Sequence, residues 1–381
     1  LLKKCLNSSL IPSILKMTVL IDPWGSSLVE DYERLLTEFG LDTFAPDKLP
    51  QPNRLMRRNI AFASQDIDII AECIAKKKPF YALSGIMPSG DKLHLGNKMV
   101  VENLKYFQQH GAQTYILVAD LEASVTRDVS LEEARKRALE FHIPAYIALG
   151  LDPEKTTVYF QSDNMSSVHI GFDAAQKITL NEFRAAYGDL TPGKIMSSTI
   201  QIGDILYPQL KQRMPGVIPV GIDQAPHLRL CRDYIRRRKE LKYFMISSLY
   251  HKYTPSLRGD FKMSKSQPDS CLQLPEDIDS IKRKIMKAKT GGRKTLEEHR
   301  RLGGEPEKCM VFELLKQHLV EDDTELQKIY TDYKSGKMTS AEIKELAIEK
   351  MTRFMRTFTA HLEKARKYTK KLTFLHSEQH R

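Results

Sequence analysis

A turn rich in small residues, at positions 85–97, combines residue types that suit phosphate binding. It lies between a predicted strand and a predicted helix, so free backbone N–H groups and the positive end of the helix dipole would point at a ligand. His94 and Asn97 are three residues apart and can both project from the first helical turn toward one phosphate group. Taken alone, His94 is more often a helix-start histidine with a local partner. The residues that we expect to lie against phosphates are Pro88, Ser89, Gly90, His94, Gly96 and Asn97.

A second segment, residues 262–266, places Lys262 and Lys265 around Met263 and Ser264. Two lysines separated by small or hydroxyl-bearing residues suit a loop that closes two cations over a pyrophosphate. A single K-x-S-K pattern is common on protein surfaces. Its presence in a chain that also carries the first segment is much harder to attribute to chance.

Alternating strand and helix patterns surround the first segment. Predicted strands occupy residues 80–84, 114–119, 156–160 and 217–220. Predicted helices occupy residues 95–110 and 130–149, the second opened by Ser130 and Glu133 as a capping box. This alternation predicts an α/β fold with a Rossmann-like, doubly wound parallel sheet. From about residue 275 onward the pattern is helical, which predicts a C-terminal α-helical domain.

Composition and charge limit the class of protein. The chain has 381 residues, 41% hydrophobic and 28% charged, which indicates two globular domains. No apolar run is long enough to span a membrane. Five scattered cysteines without a C-x-x-C pair exclude a disulfide scaffold and a zinc knuckle. Residues 281–381 contain 24 Lys/Arg and 15 Asp/Glu, a net charge of +9, which suggests a polyanionic partner, although solvated helix faces are the simpler explanation.

The composition along the chain suggests three parts. Residues 1–16, with three lysines and no acidic residue, form an extension of unknown role, for which a targeting remnant is the alternative. Residues 17–265 contain an N-terminal segment and the Rossmann-like domain. Residues 266–381 contain a linker and the helical domain.

Together, the two lysine- and histidine-bearing segments resemble the signatures of class I aminoacyl-tRNA synthetases. Residues 94–97 (HLGN) stand where that family carries its HIGH signature, and residues 262–266 match its KMSKS signature letter for letter. Asn97 replaces the final histidine; asparagine keeps an amide donor but removes any protonatable group there. The resemblance implies ATP as substrate, Mg²⁺ carried on the ATP phosphates, and no separate metal site. The catalytic positions that it implies are His94, Asn97, Lys262 and Lys265.

The resemblance narrows to the tryptophan-specific members of the family and covers roughly residues 17–365. Residues 22–25 (DPWG), 221–224 (GIDQ) and the glycine-rich segment 291–304 are similar to motifs of archaeal and eukaryotic members. The family pattern implies that Gly221 and Asp223 line the adenosine site. It also implies ATP contacts from Lys262, Met263, Ser264 and Lys265.

The amino-acid pocket has to distinguish tryptophan from tyrosine. The resemblance implies that Asp204 lies at its base and accepts the indole N–H, the alternative being an aspartate that caps a helix or forms a salt bridge. Archaeal tyrosine enzymes carry a tyrosine where this chain has Leu83, so a bound tyrosine hydroxyl would lose a partner here, at a cost of about 1–3 kcal/mol. Human-like tryptophan enzymes carry Tyr and Gln at the positions of Leu83 and Leu117. This pocket would therefore depend on Asp204, as in bacterial members.

The same resemblance implies that Gln201 and Gln224 hold the substrate α-amino group and that Glu122 lies near the substrate ammonium or ATP, the alternative for all three being surface or capping groups. The expected reaction is ATP-dependent activation of L-tryptophan, with release of pyrophosphate, and transfer to tRNA(Trp) by a cytoplasmic homodimer without membrane attachment. Three alternatives stay open: a tyrosine-specific synthetase, a catalytically silent RNA-binding paralogue, and a nucleotidyltransferase of the same superfamily. Leu83 and segment 291–304 argue against the first, and retention of both signature lysines argues against the second.

Overall fold

The computed structural model describes residues 32–259, residue 263 and residues 268–369. The DPWG segment at residues 22–25 and the predicted site residues Lys262, Ser264 and Lys265 lie outside the described residues. The strands are β1 (Asp42–Thr43), β2 (Ala61–Gln65), β3 (Tyr81–Ile86), β4 (Leu93–His94), β5 (Gln113–Val118), β6 (Thr156–Phe160), β7 (Gly216–Gly221), β8 (Ser247–His251) and β9 (Gln273–Leu274).

Helices connect these strands and form the whole of the C-terminal part that is described. Those before β9 are α1 (Tyr32–Phe39), α2 (Arg54–Arg57), α3 (Ile67–Ala75), α4 (Leu95–Gln109), α5 (Asp120–Arg127), α6 (Leu131–Arg137), α7 (Ile143–Ala148), α8 (Met165–Lys177), α9 (Leu180–Tyr187), α10 (Pro192–Lys211) and α11 (Ala225–Arg237). The helical region after β9 contains α12 (Ile278–Met286), α13 (Leu296–Leu302), α14 (Met310–Leu314), α15 (Asp323–Lys334) and α16 (Ser340–Thr369). Wider helical turns at Ala138–His142 and Leu315–Leu319 continue α6 into α7 and extend α14.

The main sheet has seven strands in the order β1-β2-β8-β7-β3-β5-β6. Its five strands from β8 to β6 run parallel, while β2 is antiparallel to both of its neighbours. The chain therefore builds outward from β3 in one direction through β5 and β6, and then in the other direction through β7 and β8. This is the doubly wound arrangement, and the predicted fold class is confirmed.

Alternation along the central strands divides the core between the two faces of the sheet. In β3, Ala82 and Ile86 enter one hydrophobic core, while Tyr81 and Leu83 enter the other. Such burial on both faces is typical of parallel sheets covered by helices. The first of these cores continues without a break into α12, α14 and α16 of the helical region. The helical region thus packs directly on the sheet domain.

The predicted strands and helices that flank the first signature are confirmed within one or two residues, but three details differ. Gly85 was expected to begin the turn, whereas β3 continues through it to Ile86. Strands β2 and β8, which add the antiparallel edge and the fifth parallel strand, were not predicted. Ser130 caps α6 by accepting the N–H of Glu133 at 3.1 Å, but Glu133 binds Arg137 at 2.7 Å instead of completing a capping box. None of the described helices has the length and apolar character required to cross a bilayer.

Candidate active site

A cavity of about 710 Å³ opens at the carboxyl ends of β3, β5 and β7. The chain winds away from β3 in opposite directions at this place, so the loops after β3 and β7 separate and leave a crevice. Open α/β sheets bind ligands at such switch points, and the volume lies within the range of small-molecule sites. The cavity is therefore the candidate active site.

The first signature forms the N-terminal cap of α4. The Nδ1 atom of His94 accepts the N–H of Gly96 at 3.0 Å, and Oδ1 of Asn97 accepts the N–H of His94 at 3.1 Å. Since Nδ1 is an acceptor, we assign the imidazole proton to Nε2, which makes His94 a neutral donor. A Cβ on Gly96 would lie 2.7 Å from Cε1 of His94. Glycine at position 96 therefore lets the ring fold back over the start of the helix.

The side chain of Asn97 has two neighbours, the cap of α4 and a tyrosine of α7. Its Oδ1 accepts the N–H of His94 in the cap, and the side chain lies close enough to the buried hydroxyl of Tyr146 on α7 to lower the pKa of that hydroxyl against the larger effect of burial. Burial raises the pKa of Tyr146 well above its ordinary value, so the hydroxyl stays protonated.

The segment after the second signature is tied to the first by a short antiparallel ladder. Strand β4, which contains His94, pairs with β9, so that His94 lies opposite Gln273. Met263, the second residue of KMSKS, is buried and lines the cavity, and its sulfur accepts the N–H of Leu272 at 3.4 Å. Met263 therefore lies at the same cavity as His94, Gly96 and Asn97, although the two segments are far apart in the sequence.

The loop after β7 supplies the opposite wall. Gly221 and Asp223 line the cavity, and a Cβ on Gly221 would lie 2.4 Å from Oδ1 of Asp223. The aspartate thus folds back over the glycine and presents its carboxylate at the end of the strand. His251 and Lys252, at the end of β8, complete this wall.

The inner part of the cavity is apolar at one end and polar at the other. Its apolar walls come from Leu83, Leu117, Ile205, Ile218, Val220 and Leu228, and its polar walls include Glu122, Gln201, Gln224 and His227. His227 bonds through Nδ1 to the hydroxyl of Tyr187 at 2.7 Å, and burial lowers its pKa to about 3, so it is neutral. This arrangement suits a ligand with a bulky apolar group and a charged head.

Asp204 lies behind this cavity instead of on its wall. It is fully buried on α10, and its Oδ2 accepts the side-chain N–H of Gln161 at 2.6 Å. Gln161 in turn accepts the backbone N–H of Glu122 at 3.2 Å. The Oδ1 atom of Asp204 is a buried acceptor without a hydrogen bond. Burial raises the pKa of Asp204 to about 7, against the lowering effect of the Gln161 hydrogen bond.

Asp204→Asn should change the pH dependence of stability. The pKa of Asp204 is about 7 when folded, above the ordinary value of 3.8, so the protonated carboxyl favours folding. Wild-type stability from this group is complete below pH ~4 and is lost as pH rises toward 7, by at most about 1.4 kcal/mol per pH unit. We expect the stability of the Asp204→Asn protein relative to wild type to increase between pH 5 and 7, measured by urea denaturation. Parallel curves for the two proteins would contradict a raised pKa.

The structure brings most of the predicted site residues to one place. Those that line the cavity are Leu83, Ser89, His94, Gly96, Asn97, Leu117, Glu122, Gln201, Gly221, Asp223, Gln224 and Met263. Pro88, Gly90 and Asp204 do not line it. Lining residues that the sequence reasoning missed include Tyr146, His227, His251, Lys252 and Thr254. The strand-forming run that ends at His251 was the available signal for the last three of these, since it predicts another strand end.

Segment 291–304 is a packing motif of the helical region. The N–H of Glu305 donates to the carbonyl of Gly291 at 2.8 Å, and the N–H of Gly304 donates to the carbonyl of Tyr333 at 2.9 Å. Arg293 donates to the carbonyl of Gly303 at 2.9 Å. The glycines allow the backbones around α13 and α15 to approach each other, away from the cavity.

Residues 75–356 match the family model described as tRNA synthetases class I (W and Y). A tryptophan–tRNA ligase from Methanocaldococcus jannaschii is 39% identical over 92% of this chain and 97% of that protein. A tryptophan–tRNA ligase from Aeropyrum pernix is 42% identical, also over 92% and 97%.

Solved structures agree with this assignment. The tryptophanyl-tRNA synthetase of Aeropyrum pernix K1 has a TM-score of 0.84 and 41% identity and covers 92% of this chain and 98% of its own. The tryptophanyl-tRNA synthetase of Plasmodium falciparum has a TM-score of 0.80 at 26% identity, over 89% and 97%. The resemblance based on the two signatures is confirmed. The chain therefore belongs to the class I tRNA synthetases of the tryptophan and tyrosine group.

Proposed function

We propose that this chain is a tryptophan–tRNA ligase, which activates L-tryptophan with ATP and transfers it to tRNA(Trp). One observation supports this proposal most directly. The cavity at the switch point of the sheet is lined by His94, Gly96 and Asn97 of the first signature, by Met263 of the second, and by the apolar side chains of the pocket. Relatives named as tryptophan–tRNA ligases, similar over nearly their whole length, support the substrate assignment.

In the activation step, the tryptophan carboxylate attacks the α-phosphorus of ATP and pyrophosphate leaves. A carboxylate is already ionised at neutral pH, so the residues have to position the reactants and neutralise charge that develops on the leaving group. We assign phosphate binding to the Nε2–H of His94 and to the N-terminus of α4. Lys262 and Lys265 would stabilise the departing pyrophosphate, and Gly221 and Asp223 would line the adenosine site.

We propose Mg²⁺ as a partner of ATP, held by its phosphates. Mg²⁺ keeps several water ligands and needs few protein oxygens when phosphates bind it. Among the described residues, no group of three His, Cys, Asp or Glu side chains forms a protein cage.

Specificity for tryptophan follows from the two ends of the pocket. Leu83 and Leu117, both buried on neighbouring strands, would pack against the indole and offer no partner to a tyrosine hydroxyl. Glu122, Gln201 and Gln224 would bind the ammonium group. Asp204 lies behind the cavity wall and stays our candidate acceptor for the indole N–H on the strength of its buried Oδ1, which makes no hydrogen bond.

The transfer step requires contact with tRNA. We assign the anticodon to the helical region, supported by the net charge of +9 on residues 281–381, since basic surfaces attract the phosphate backbone. We also propose a cytoplasmic location, because the cysteines of the described ranges are buried free thiols, as suits a reducing compartment.

We further propose that two copies of the chain associate through α8 and the start of α10. Met165 and Phe172 lie seven residues apart on one face of α8 and are 50% and 73% exposed. Met196 on α10 is 62% exposed. Gly171, beside Phe172, lies against the backbone of Ile200, which places these apolar side chains on adjoining helices. Exposed apolar patches of this kind mark association surfaces.

Phe172→Asp is expected to convert a dimer into a monomer. A buried, unpaired carboxylate in the apolar contact would cost several kcal/mol, enough to move the dissociation constant by two or more orders of magnitude. Light scattering after gel filtration would give the mass of each form. Leu302→Asp is the matched control, because Leu302 is 56% exposed on α13, in the helical region. A dimeric Phe172→Asp protein would contradict this interface.

Amino-acid-dependent ATP–pyrophosphate exchange tests the proposed function without tRNA. We expect exchange with L-tryptophan and little with L-tyrosine. Exchange with tyrosine alone would keep the activation chemistry and overturn the specificity. No exchange with either amino acid would favour the RNA-binding paralogue.

A further inference from the structure

A buried histidine of the helical region reaches the active-site wall. His318, in the turn that extends α14, is only 2% exposed, and its Nε2 lies 3.0 Å from Oγ1 of Thr254. Thr254 follows β8, is itself buried and lines the active-site cavity. One side-chain hydrogen bond therefore links the helical region to the cavity.

Thr254 also holds the second signature. Its carbonyl accepts the N–H of Met263 at 2.8 Å, and Met263 lies between Lys262 and Ser264 in the sequence. The hydrogen bonds thus run from His318 to Thr254 and from Thr254 to the backbone of the signature. A displacement of Thr254 would move the anchored residue beside Lys262.

The segment that contains His318 is fixed to the sheet domain by arginines of α2 and its C-terminal end. Arg58 donates to the carbonyls of Lys316 and Val320 at 2.6 and 2.7 Å. Arg57 and Arg58 each lie 2.7 Å from a carboxylate oxygen of Asp323. His318 is therefore held in place by contacts on both sides of it along the chain.

The surroundings of His318 keep its ring neutral. Burial, followed by the nearby charges of Lys98 and Arg54, lowers the pKa of His318 well below 6.5. Its Nδ1 is buried and makes no hydrogen bond. We assign the proton to Nε2, where it is donated to Thr254, because buried N–H groups without an acceptor are rare.

We infer that His318 is a positioning residue for the activation step, which acts through Thr254 on Met263 at the wall of the active-site cavity. The inference rests on the proposed function. It makes a residue of the helical region part of the structure that holds the cavity wall in place for the activation step. A residue that merely fills the domain junction would affect stability without acting on the ATP half of the reaction.

His318→Leu and Thr254→Val each remove this hydrogen bond, and kinetics of ATP–pyrophosphate exchange measure the effect. One neutral hydrogen bond corresponds to about a three- to tenfold change. We expect kcat to fall by that factor, with KM for tryptophan unchanged. His318→Gln and Thr254→Ser keep polar atoms near the same places and should recover most of the loss. The double variant His318→Leu/Thr254→Val should be no slower than the worse single variant.

His299→Gln is the matched control in the same region. His299 is 3% exposed, bonds through Nε2 to the carbonyl of Met338 at 2.9 Å, and has an equally unpaired Nδ1. Its partner lies in the helical region, so its replacement should leave kcat unchanged while lowering thermal stability.

The outcomes separate this inference from the proposed function. Additive losses in the double variant, a parallel loss of tryptophan binding, or an equal loss of kcat in His299→Gln would overturn the role of His318. Failure of the unmodified chain to exchange with any amino acid would overturn the proposed function, and the inference with it. Normal exchange with an unchanged kcat in His318→Leu would overturn the inference alone.

Discussion

His94→Ala is expected to lower the rate of tryptophanyl-adenylate formation by about 10²–10³-fold, the usual effect of removing one donor that stabilises developing charge. The Nδ1 atom of His94 accepts the N–H of Gly96, so the ring proton lies on Nε2, which we assign to a phosphate. Single-turnover measurement of adenylate formation would report this step directly. The same change should also remove the cap of α4, at a cost of about 1 kcal/mol.

His94→Asn separates the two effects. Asparagine is among the best residues for capping a helix, so stability should return, whereas its shorter side chain cannot place a donor where Nε2 lies and the rate should stay low. His110→Ala is the control at the other end of α4, where Nδ1 of His110 lies 2.8 Å from the carbonyl of Tyr106. A wild-type rate in His94→Asn would show that His94 serves only as a cap.

Gly203→Ala is expected to lower the free energy of unfolding strongly, because the added methyl group would meet backbone atoms. A Cβ at this position would lie 2.0 Å from the backbone oxygen of Ser167 on α8. Backbone atoms inside a helix cannot move aside independently, so α8 and α10 would have to separate. Overpacking of this kind costs about 1–3 kcal/mol or more. Gln201 and Asp204 lie on the same stretch of α10, so KM for tryptophan should rise as well.

Gly193→Ala provides the matched control on the same helix. Its added Cβ would lie 2.3 Å from Cγ1 of Val125, but Val125 is 51% exposed and its side chain can rotate away. Because alanine favours helix more than glycine does, this variant should be as stable as wild type or slightly more stable. Thermal denaturation of both variants tests the difference. Equal midpoints for Gly203→Ala and wild type would contradict the close approach of α8 and α10.

The local patterns of the sequence were enough to predict the main elements near the site. Short runs of strand-forming residues at 80–84 and 114–119 predicted strands, which are buried on both faces of the sheet, and the helix after His94 begins where its cap predicts. These features depend on neighbours within a few residues. Strand β2 was missed because its identity as a strand depends on pairing with β8, which is distant in the sequence, whereas the strand-forming run that ends at His251 did carry a local signal for β8.

Local rules also failed where a side chain had two available partners. Glu133 was expected to complete a capping box with Ser130, but Arg137, one helical turn further on, offers an opposite charge. For Asp204 the resemblance predicts a place at the base of the amino-acid pocket; the structure puts it behind the cavity wall, where the close approach of α10 to α8 at Gly203 buries it and Gln161 donates to its carboxyl group. Competition between partners depends on distances that a sequence does not contain.

The sequence by itself determined the family, the fold class and the chemical character of the site. This was possible because the signature residues lie at the ends of strands and the starts of helices, and strand ends and helix starts are set by residues that are close in the sequence. Only the tertiary structure decided which of these residues share the cavity. It brought β9 beside His94, set Asp204 behind the wall, and joined His318 to Thr254. Each of these contacts links residues that lie far apart in the chain. The distance between such residues in space is set by how the intervening elements fold, and local preference has little influence on it.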